Sequence, residues 1–588
     1  MDMKQLKYFG WFAGILLLTQ LSCTDNYESL PVDRFTEEFV FSETDSTGKQ
    51  ARQFLNTIYE QLPNRHNGVG GDYLEAATDN ALSIAMDDEP DVYKLLMGRY
   101  TASNRIQSDM KWGEYYATIR KVNILIRNID GVPFKSTYTD ALGNKRPLNA
   151  SMKAEARFLR AYFYFQLLQR YGGVPLIGDQ IFGLEDDLEL PRNTFADCVD
   201  YIVDEIEAVK DSLRTIPLEY PEEFAHVATR EAALALKTRV LLYAASPLFN
   251  GQTLEEGNEL TGYPSYSKER WKLAADAARS FMDTYGANGS HVFGLASDFR
   301  KIFTNWYGGD NPEMIFFRNT GNNTGLETKN GPLGFSGIRL GNGRTNPSQN
   351  LVNAFPMKDG YARGESPKYS YNPQRPYDNR DPRLNYTVLH NGSDWLGTQL
   401  KTYQGGPHNP AATGQYSRTS YYMRKFLGDF ENADQYGNTL HLWVMFRYAE
   451  IMLNFAEAEN EYLDTPSDEI YEVLYALRRR AGIEPGDDNS YGFNKEMTQL
   501  EMREAIRNER RLELAFEDHR YWDLRRWRIA EDVFSKPIKG MQIVLSQGNP
   551  SYQEIDLILA PFNERRYLYP IPYSEVNKNI NMVQNPKW

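Results

Sequence analysis

Along most of this chain the apolar residues recur at helical spacing, and they do so in consecutive pairs of segments. In "MKAEARFLRAYFYFQLLQRYG" Ala154, Phe158, Ala161, Phe165 and Leu168 fall at i, i+4 and i+7 intervals, and in "FADCVDYIVDEIEAVKDSL" Cys198, Ile202, Ile206, Val209 and Leu213 do the same. Each segment predicts an amphipathic helix, and the two together predict a packed pair. Further pairs follow: "TREAALALKTRVLLYAASP" with "SKERWKLAADAARSFMDTYG", and "FRYAEIMLNFAEAENEYL" with "DEIYEVLYALRRRAG". An earlier pair is expected from "KQARQFLNTIYEQL" and "WGEYYATIRKVNILIRNI". An Ala-rich first helix followed by an amphipathic second one is what tetratricopeptide-like pairs need for close approach, with the core running between stacked pairs.

Long segments without this periodicity lie between the helices, at about residues 63–110, 287–350 and 361–440. Long loops in a folded chain are usually functional or disordered. These contain Tyr73, Tyr93, Tyr100, Trp306, Tyr307 and Trp395, and rings of this kind are scarce in purely disordered stretches. A binding surface is expected here rather than on the helices, although any one ring could equally pack its loop onto the scaffold.

One helical stretch mixes apolar periodicity with charge. In the segment ending "ERRLELAFEDHRYWDLRRW" (509–527), Met502, Ala505, Ile506, Leu512 and Phe516 share a face, and Glu509 and Glu513 lie near its centre. A carboxylate turned inward must be paired or protonated, since unpaired charge in low dielectric costs several kcal/mol. Two readings follow. The pair could perform acid/base chemistry across roughly 5–9 Å, as in glycoside hydrolases. Alternatively, arginines of neighbouring helices such as Arg447, Arg478 or Arg480 neutralise it as part of the scaffold.

Composition narrows the function. The chain has 588 residues, enough for a large core at 41% hydrophobic content. Its net charge of −14 and its lack of a long Lys/Arg run argue against a nucleic-acid partner. With 39 Tyr against 30 Phe, it carries many flat apolar faces whose hydroxyls can stay wet, which suits sugar or peptide surfaces. The seven histidines show no HxH or HExxH spacing, so no metal site is expected; no Walker loop, GxSxG elbow or strand-to-helix GxGxxG is present, and no cofactor is implied. The acidic run "MDDEPD" (86–91) lacks EF-hand spacing and reads as a solvated loop. Cys198 sits among Val199, Ile202 and Ile206 as a small core residue, and there is no disulfide framework.

At the N-terminus, Lys4 and Lys7 precede the apolar run "FGWFAGILLLTQL", which is short for a membrane span, and then Ser22-Cys23. This resembles a bacterial lipoprotein signal in which residues 1–22 are removed and Cys23 is lipidated. The polar, turn-rich residues 23–48 then read as a tether.

"RYAEIMLNFAEAE" (447–459), "LRRRAG" (477–482), "ERRLELAFEDHRYWDLRRW" and the ending "YLYPIPYSEVNKNINMVQNPKW" from Tyr567, in this order, closely resemble the C-terminal half of the SusD/RagB family. "AEARFLRAYFYFQLLQRYGGVPL", "FPMKDG" and "DPRL" extend the resemblance over most of the chain. The resemblance implies a mainly α, SusD-like body of tetratricopeptide-like pairs with long irregular loops, residues 49–290 forming the N-terminal helical region and 291–588 the C-terminal region with a loop-rich ligand face. It implies a surface-exposed, lipid-anchored outer-membrane protein, not an enzyme, that binds glycan and delivers it to a SusC-like TonB-dependent transporter. A peptide ligand is the alternative within the family, and a glycoside hydrolase the rival outside it. It favours the scaffold reading of Glu509 and Glu513. By family analogy, Tyr73, Tyr93, Tyr100, Trp306, Tyr307 and Trp395 are expected to stack on ligand, with Asp79, Asn80 and Asp310 bonding its hydroxyls.

Overall fold

The computed structural model describes residues 36–183, 185–218, 227–305, 311–410 and 416–588. The signal segment and Cys23 lie outside them. Of the tether expected over 23–48, the described part belongs to the body: Glu37–Val40 is a short helix, and the buried Phe41 packs edge-on against Phe54 at 5.3 Å.

The predicted helices form at the predicted places. They are α1 Lys49–Tyr59, α2 Trp112–Asn128, α3 Leu148–Tyr171, α4 Phe195–Val209, α5 Arg230–Ala245, α6 Lys268–Tyr285, α7 Tyr448–Tyr462, α8 Asp468–Ala481 and α9 Gln499–Glu513. Local chemistry fixes several ends. Thr194 with Asp197 and Thr498 with Glu501 form capping boxes before α4 and α9, each satisfying backbone donors the helix itself leaves open. At the end of α3, Gly172 adopts φ +77° and ψ −144°, and a Cβ there would lie 2.4 Å from the Leu260 carbonyl oxygen.

Successive helices pack side by side from α1 to α7, and α8 and α9 both pack on α7. α3 sits between α2 and α4, so it is buried nearly all round, and its polar residues must find partners: Arg160, for instance, bonds Glu205 of α4 at 2.9 Å. Small residues set the spacing where α5, α6 and α7 meet. Ala245, Ala274, Ala275 and Ala458 pack there with Leu242 and Trp271 in a core cluster of their own. Apart from a small cluster of Ala481, Ile483 and Tyr491, the remaining core is one large cluster running the length of the stack into the C-terminal residues.

α6 and α7 are neighbours in space although residues 286–447 separate them in sequence. Two strands close the neck of this insertion. β1 (Met314–Asn323) pairs antiparallel with β2 (Thr439–Arg447), Arg447 standing opposite Met314, and Phe316 of β1 packs edge-on to Phe158 of α3 at 5.5 Å. β2 runs directly into α7. Near the C-terminus a hairpin, β3 (Ile538–Ser546) and β4 (Asn549–Ile558), projects beside the insertion. The segments expected to be irregular hold β1, short helices such as Asp91–Met97 and Pro382–Thr387, 3-10 turns and strands of two or three residues, and the molecule is mainly α. Among the described residues no helix is long and apolar enough to cross a membrane.

Candidate functional site

Glu509 and Glu513 do turn inward from α9, and both are fully buried. Glu509 accepts from Arg383 Nη1 at 2.6 Å and from Arg478 Nε at 3.0 Å. Glu513 accepts from Arg447 Nη1 at 2.8 Å, from Arg383 Nη1 at 3.2 Å and from Arg480. The network continues through Glu517, which takes Arg447 Nε and Lys425 Nζ at 2.7 Å each, and through Glu313, which takes Arg480 Nη1 at 2.9 Å. Asp381 completes it by clamping Arg383. Five carboxylates (Asp381, Glu313, Glu509, Glu513, Glu517) thus face five cations (Arg383, Arg447, Arg478, Arg480, Lys425), so charge balances inside the body.

Burial alone would push the Glu509 carboxyl up, but Arg383 and Arg478 outweigh it and hold the group below its ordinary value. Glu513 is held down in the same way, with Arg480 and Arg447 prevailing over burial. Carboxylates that are ionised, fully buried and held by guanidinium groups have neither a proton to donate nor access to a solvent water. This pair is scaffold and not a catalytic dyad.

The residues expected to meet ligand fall into three groups. Five are interior. Tyr73 stacks on Phe426 at 5.3 Å with an interplanar angle of 6°, and its hydroxyl meets His66 Nδ1 at 2.8 Å. Tyr100 packs between Trp588 and Tyr569, and Trp395 lies edge-on to Phe430 with the Arg424 guanidinium over its ring. Asp79 is gripped by Arg520 Nε at 2.9 Å and Arg511 Nη2 at 2.8 Å; burial would raise its pKa, but the two arginines bring it to about 2. Asn80 donates to Glu75 Oε1 at 2.6 Å and accepts from Arg511 Nε at 2.7 Å. The expectation of ligand contact is corrected for these five, because all are buried against other protein groups: Tyr73 and Trp395 against rings of the 361–440 segment, Tyr100 against C-terminal aromatic residues, and Asp79 and Asn80 against arginines. Tyr93 is half-buried, with Arg99 5.7 Å from its ring centre. Trp306, Tyr307 and Asp310 form the third group and lie outside the described residues, as does Cys23.

What the structure does describe is the base from which residues 306–310 spring. The buried Asn311 donates from Nδ2 to the carbonyls of Ile302 at 3.0 Å and Asn305 at 3.3 Å, tying one end of the loop to the other. The 3-10 turn Phe299–Phe303 that precedes it rests on the ionic network: Lys425 lies 5.1 Å from the Phe303 ring and Arg480 5.0 Å from that of Phe299. Phe303 also packs edge-on to Phe426 at 4.9 Å. The charged core therefore supports the described residues that flank 306–310. Arg383, Lys425, Glu313 and Asn311 were not singled out in the sequence. A charge count does not reveal the two cations, since Arg447, Arg478 and Arg480 already outnumber the two inward glutamates; the need for Arg383 and Lys425 appears only once Glu313, Glu517 and Asp381 are seen to join them. Among the described residues, no group of three or more His, Cys, Asp or Glu side chains could hold a metal ion.

Two family descriptions match the chain in succession. Residues 41–242 match one described as starch-binding and associating with the outer membrane, and residues 312–588 match the SusD family. A SusD-like protein of Formosa agariphila, P25, is 23% identical over 546 residues, covering 88% of this chain and 89% of that protein. Among solved structures, a SusD-like protein from Bacteroides fragilis superposes with a TM-score of 0.72 at 24% identity, covering 92% of this chain and 98% of the other. A SusD-like carbohydrate-binding protein from the same organism gives 0.67 at 25% identity, over 91% and 99% of the two chains. A laminarin-binding SusD-like protein gives 0.62 at 18% identity, over 92% and 100%.

Proposed function

Because this chain belongs to the SusD/RagB family, we propose that it is a non-catalytic, lipid-anchored outer-membrane protein that binds a glycan at the cell surface and passes it to a SusC-like TonB-dependent transporter. Carbohydrate binding is what the family descriptions and the carbohydrate- and laminarin-binding neighbours support. The observation that carries the reading is the ordered match of both family halves along one continuous scaffold. The saturated ionic core adds to it by removing the inward carboxylate pair that a hydrolase would have used.

Cys23 is the anchoring residue in this reading, and two acyl chains give stable attachment where one does not. Ligand contact is assigned to Trp306, Tyr307 and Asp310, with Tyr93 as a further ring. "NWYGGDN" joins two aromatic residues to Gly308 and Gly309, where a ligand can approach the backbone closely. Aromatic stacking on a flat ligand is worth about 1–3 kcal/mol, so Trp306→Ala weakens binding by roughly 5- to 150-fold with the fold intact.

The test is calorimetry of the detergent-solubilised full chain against a glycan panel that includes starch and laminarin oligosaccharides, with a peptide library in parallel. Glycan binding with the glycan recovered unchanged supports the reading. Glycan cleavage, or binding of peptides alone, overturns it. Affinity unchanged in the Trp306→Ala, Tyr307→Ala double variant moves the contact away from this loop.

A further inference from the structure

The insertion and the C-terminal hairpin meet in a cleft that none of the expected ligand residues touches. Both arms of the 401–420 segment are fastened to the same strand. The Gln404 N–H donates to the Ile543 carbonyl at 2.8 Å, and the Met541 N–H donates to the Thr419 carbonyl at 3.1 Å. Between the arms and the hairpin lies a cavity of about 440 Å³, within the range of small-ligand sites. Ile555 and Leu557, which share a face of the hairpin with Gln542, give it an apolar floor, and Gln404, Gln542 and Asn409 are its amide-bearing lining residues. Tyr416, half-buried, lines one side with the Arg418 guanidinium 5.3 Å from its ring centre, and Arg418 is itself paired with Asp87.

Asn409 is the informative residue. Its Nδ2 braces the two arms, donating to the carbonyls of Thr402 at 3.1 Å and Ser417 at 3.3 Å, and the side chain is 5% exposed. Its Oδ1 is buried and has no hydrogen-bond partner. An acceptor left so is costly, which favours a bound group able to donate a hydrogen bond beside it.

We propose that this cleft is a saccharide subsite, separate from the 306–310 loop, in which a ligand hydroxyl donates to Asn409 Oδ1, the Gln404 and Gln542 amides bond neighbouring hydroxyls, and a pyranose face lies on the Tyr416 ring and the aliphatic floor. The chemistry selects a neutral polyol. The amides both donate and accept without charge, the one cation in the wall is already paired, and an apolar floor beneath polar walls suits a sugar ring with its C–H face and rim of hydroxyls. The proposal rests on the carbohydrate-binding reading for the choice of ligand, but not on where the first contact lies.

The test uses the full chain in detergent with maltoheptaose and laminarihexaose as probes, measured by calorimetry for the native protein, for Tyr416→Ala, for Gln542→Ala and for Gln404→Ala. Gln404 is exposed, so its variant folds even if a deeper one does not. The expected result is a loss of about tenfold in affinity, or loss of one of two binding events, for Tyr416→Ala and a smaller loss for each glutamine, at unchanged Tm. Binding of either probe that none of the three variants alters overturns the subsite while leaving carbohydrate binding in place. Failure of both probes to bind, together with peptide binding weakened by the same variants, overturns the saccharide assignment and the function reading together.

Discussion

At the scale of single residues, buried charge is the dominant theme, and its two forms predict opposite behaviour. Glu513 is shared among Arg383, Arg447 and Arg480, so Glu513→Gln leaves buried guanidinium charge in excess. Removing one member of such a cluster costs about 3–5 kcal/mol, which a denaturant midpoint will read. Glu75 is the converse case. Its Oε1 accepts from Asn80 but its Oε2 has no partner, and burial, only partly offset by Asn80 and its other neighbours, pushes the carboxyl up to about 7 from an ordinary 4.5. The folded state then binds a proton that the unfolded chain has released, so this residue makes stability fall as pH rises from about 4.5 to 7. Glu75→Gln removes that slope. Thermal melts across the window should diverge from the native protein's with rising pH in the variant's favour, and parallel curves would refute the assignment. Of this chemistry the inward carboxylates and three of their arginines were legible, because helical period places them. Arg383 and Lys425 were not, since they reach the core from a six-residue helix and a turn, both too short to show a period. Phe516 was placed on the α9 face, yet it lies past the end of that helix with φ +65°.

At the scale of elements, pattern and structure agree where packing depends on one repeating face. All the expected pairs form, and the alanine-rich helices lie where the stack is tightest. Their termini are specific enough to test. Gly172 ends α3 in a conformation open to glycine alone, with the Leu260 carbonyl against the position of a Cβ, so Gly172→Ala costs roughly 1–3 kcal/mol from backbone strain even before the clash is counted. Differential scanning calorimetry will show it as a lowered Tm. A variant as stable as the native protein would mean that α3 can end otherwise. What could not be read was the role of the loop aromatics. Tyr73 and Trp395 sit in polar, turn-rich sequence as a ligand-stacking ring would, and only their three-dimensional neighbours reveal that they anchor the loops. Composition distinguishes neither outcome, because a ring that fastens a loop and a ring that greets a sugar need the same flat apolar face.

For the whole molecule, the fold class and the family were legible together, since a long run of helix pairs and a set of ordered motifs point the same way. The anchoring prediction belongs at this scale. Cys23→Ala should move the protein from the membrane to the soluble fraction without changing its calorimetric affinity for glycan, and a variant that stays with the membrane would show that something other than acylation holds it there.

The neck formed by β1 and β2 has a consequence for how such a protein can change its diet. Everything from residue 324 to 438 leaves and re-enters the body between two paired strands, and the entropy of closing a loop grows only slowly with its length, by about 0.6 kcal/mol per doubling. By loop closure alone a graft of different length is cheap, but this stretch also supplies core residues such as Leu351, Leu384 and Phe426, and it carries a condition of charge. Arg383 and Lys425 both arrive within that stretch, and they neutralise Glu509 and Glu517, which belong to the host. A transplanted insert that lacks these two cations would be rejected by the interior, however well its surface bound a new sugar. The buried carboxylates thus act as a compatibility check, limiting exchange to inserts that bring the same two charges to the same places.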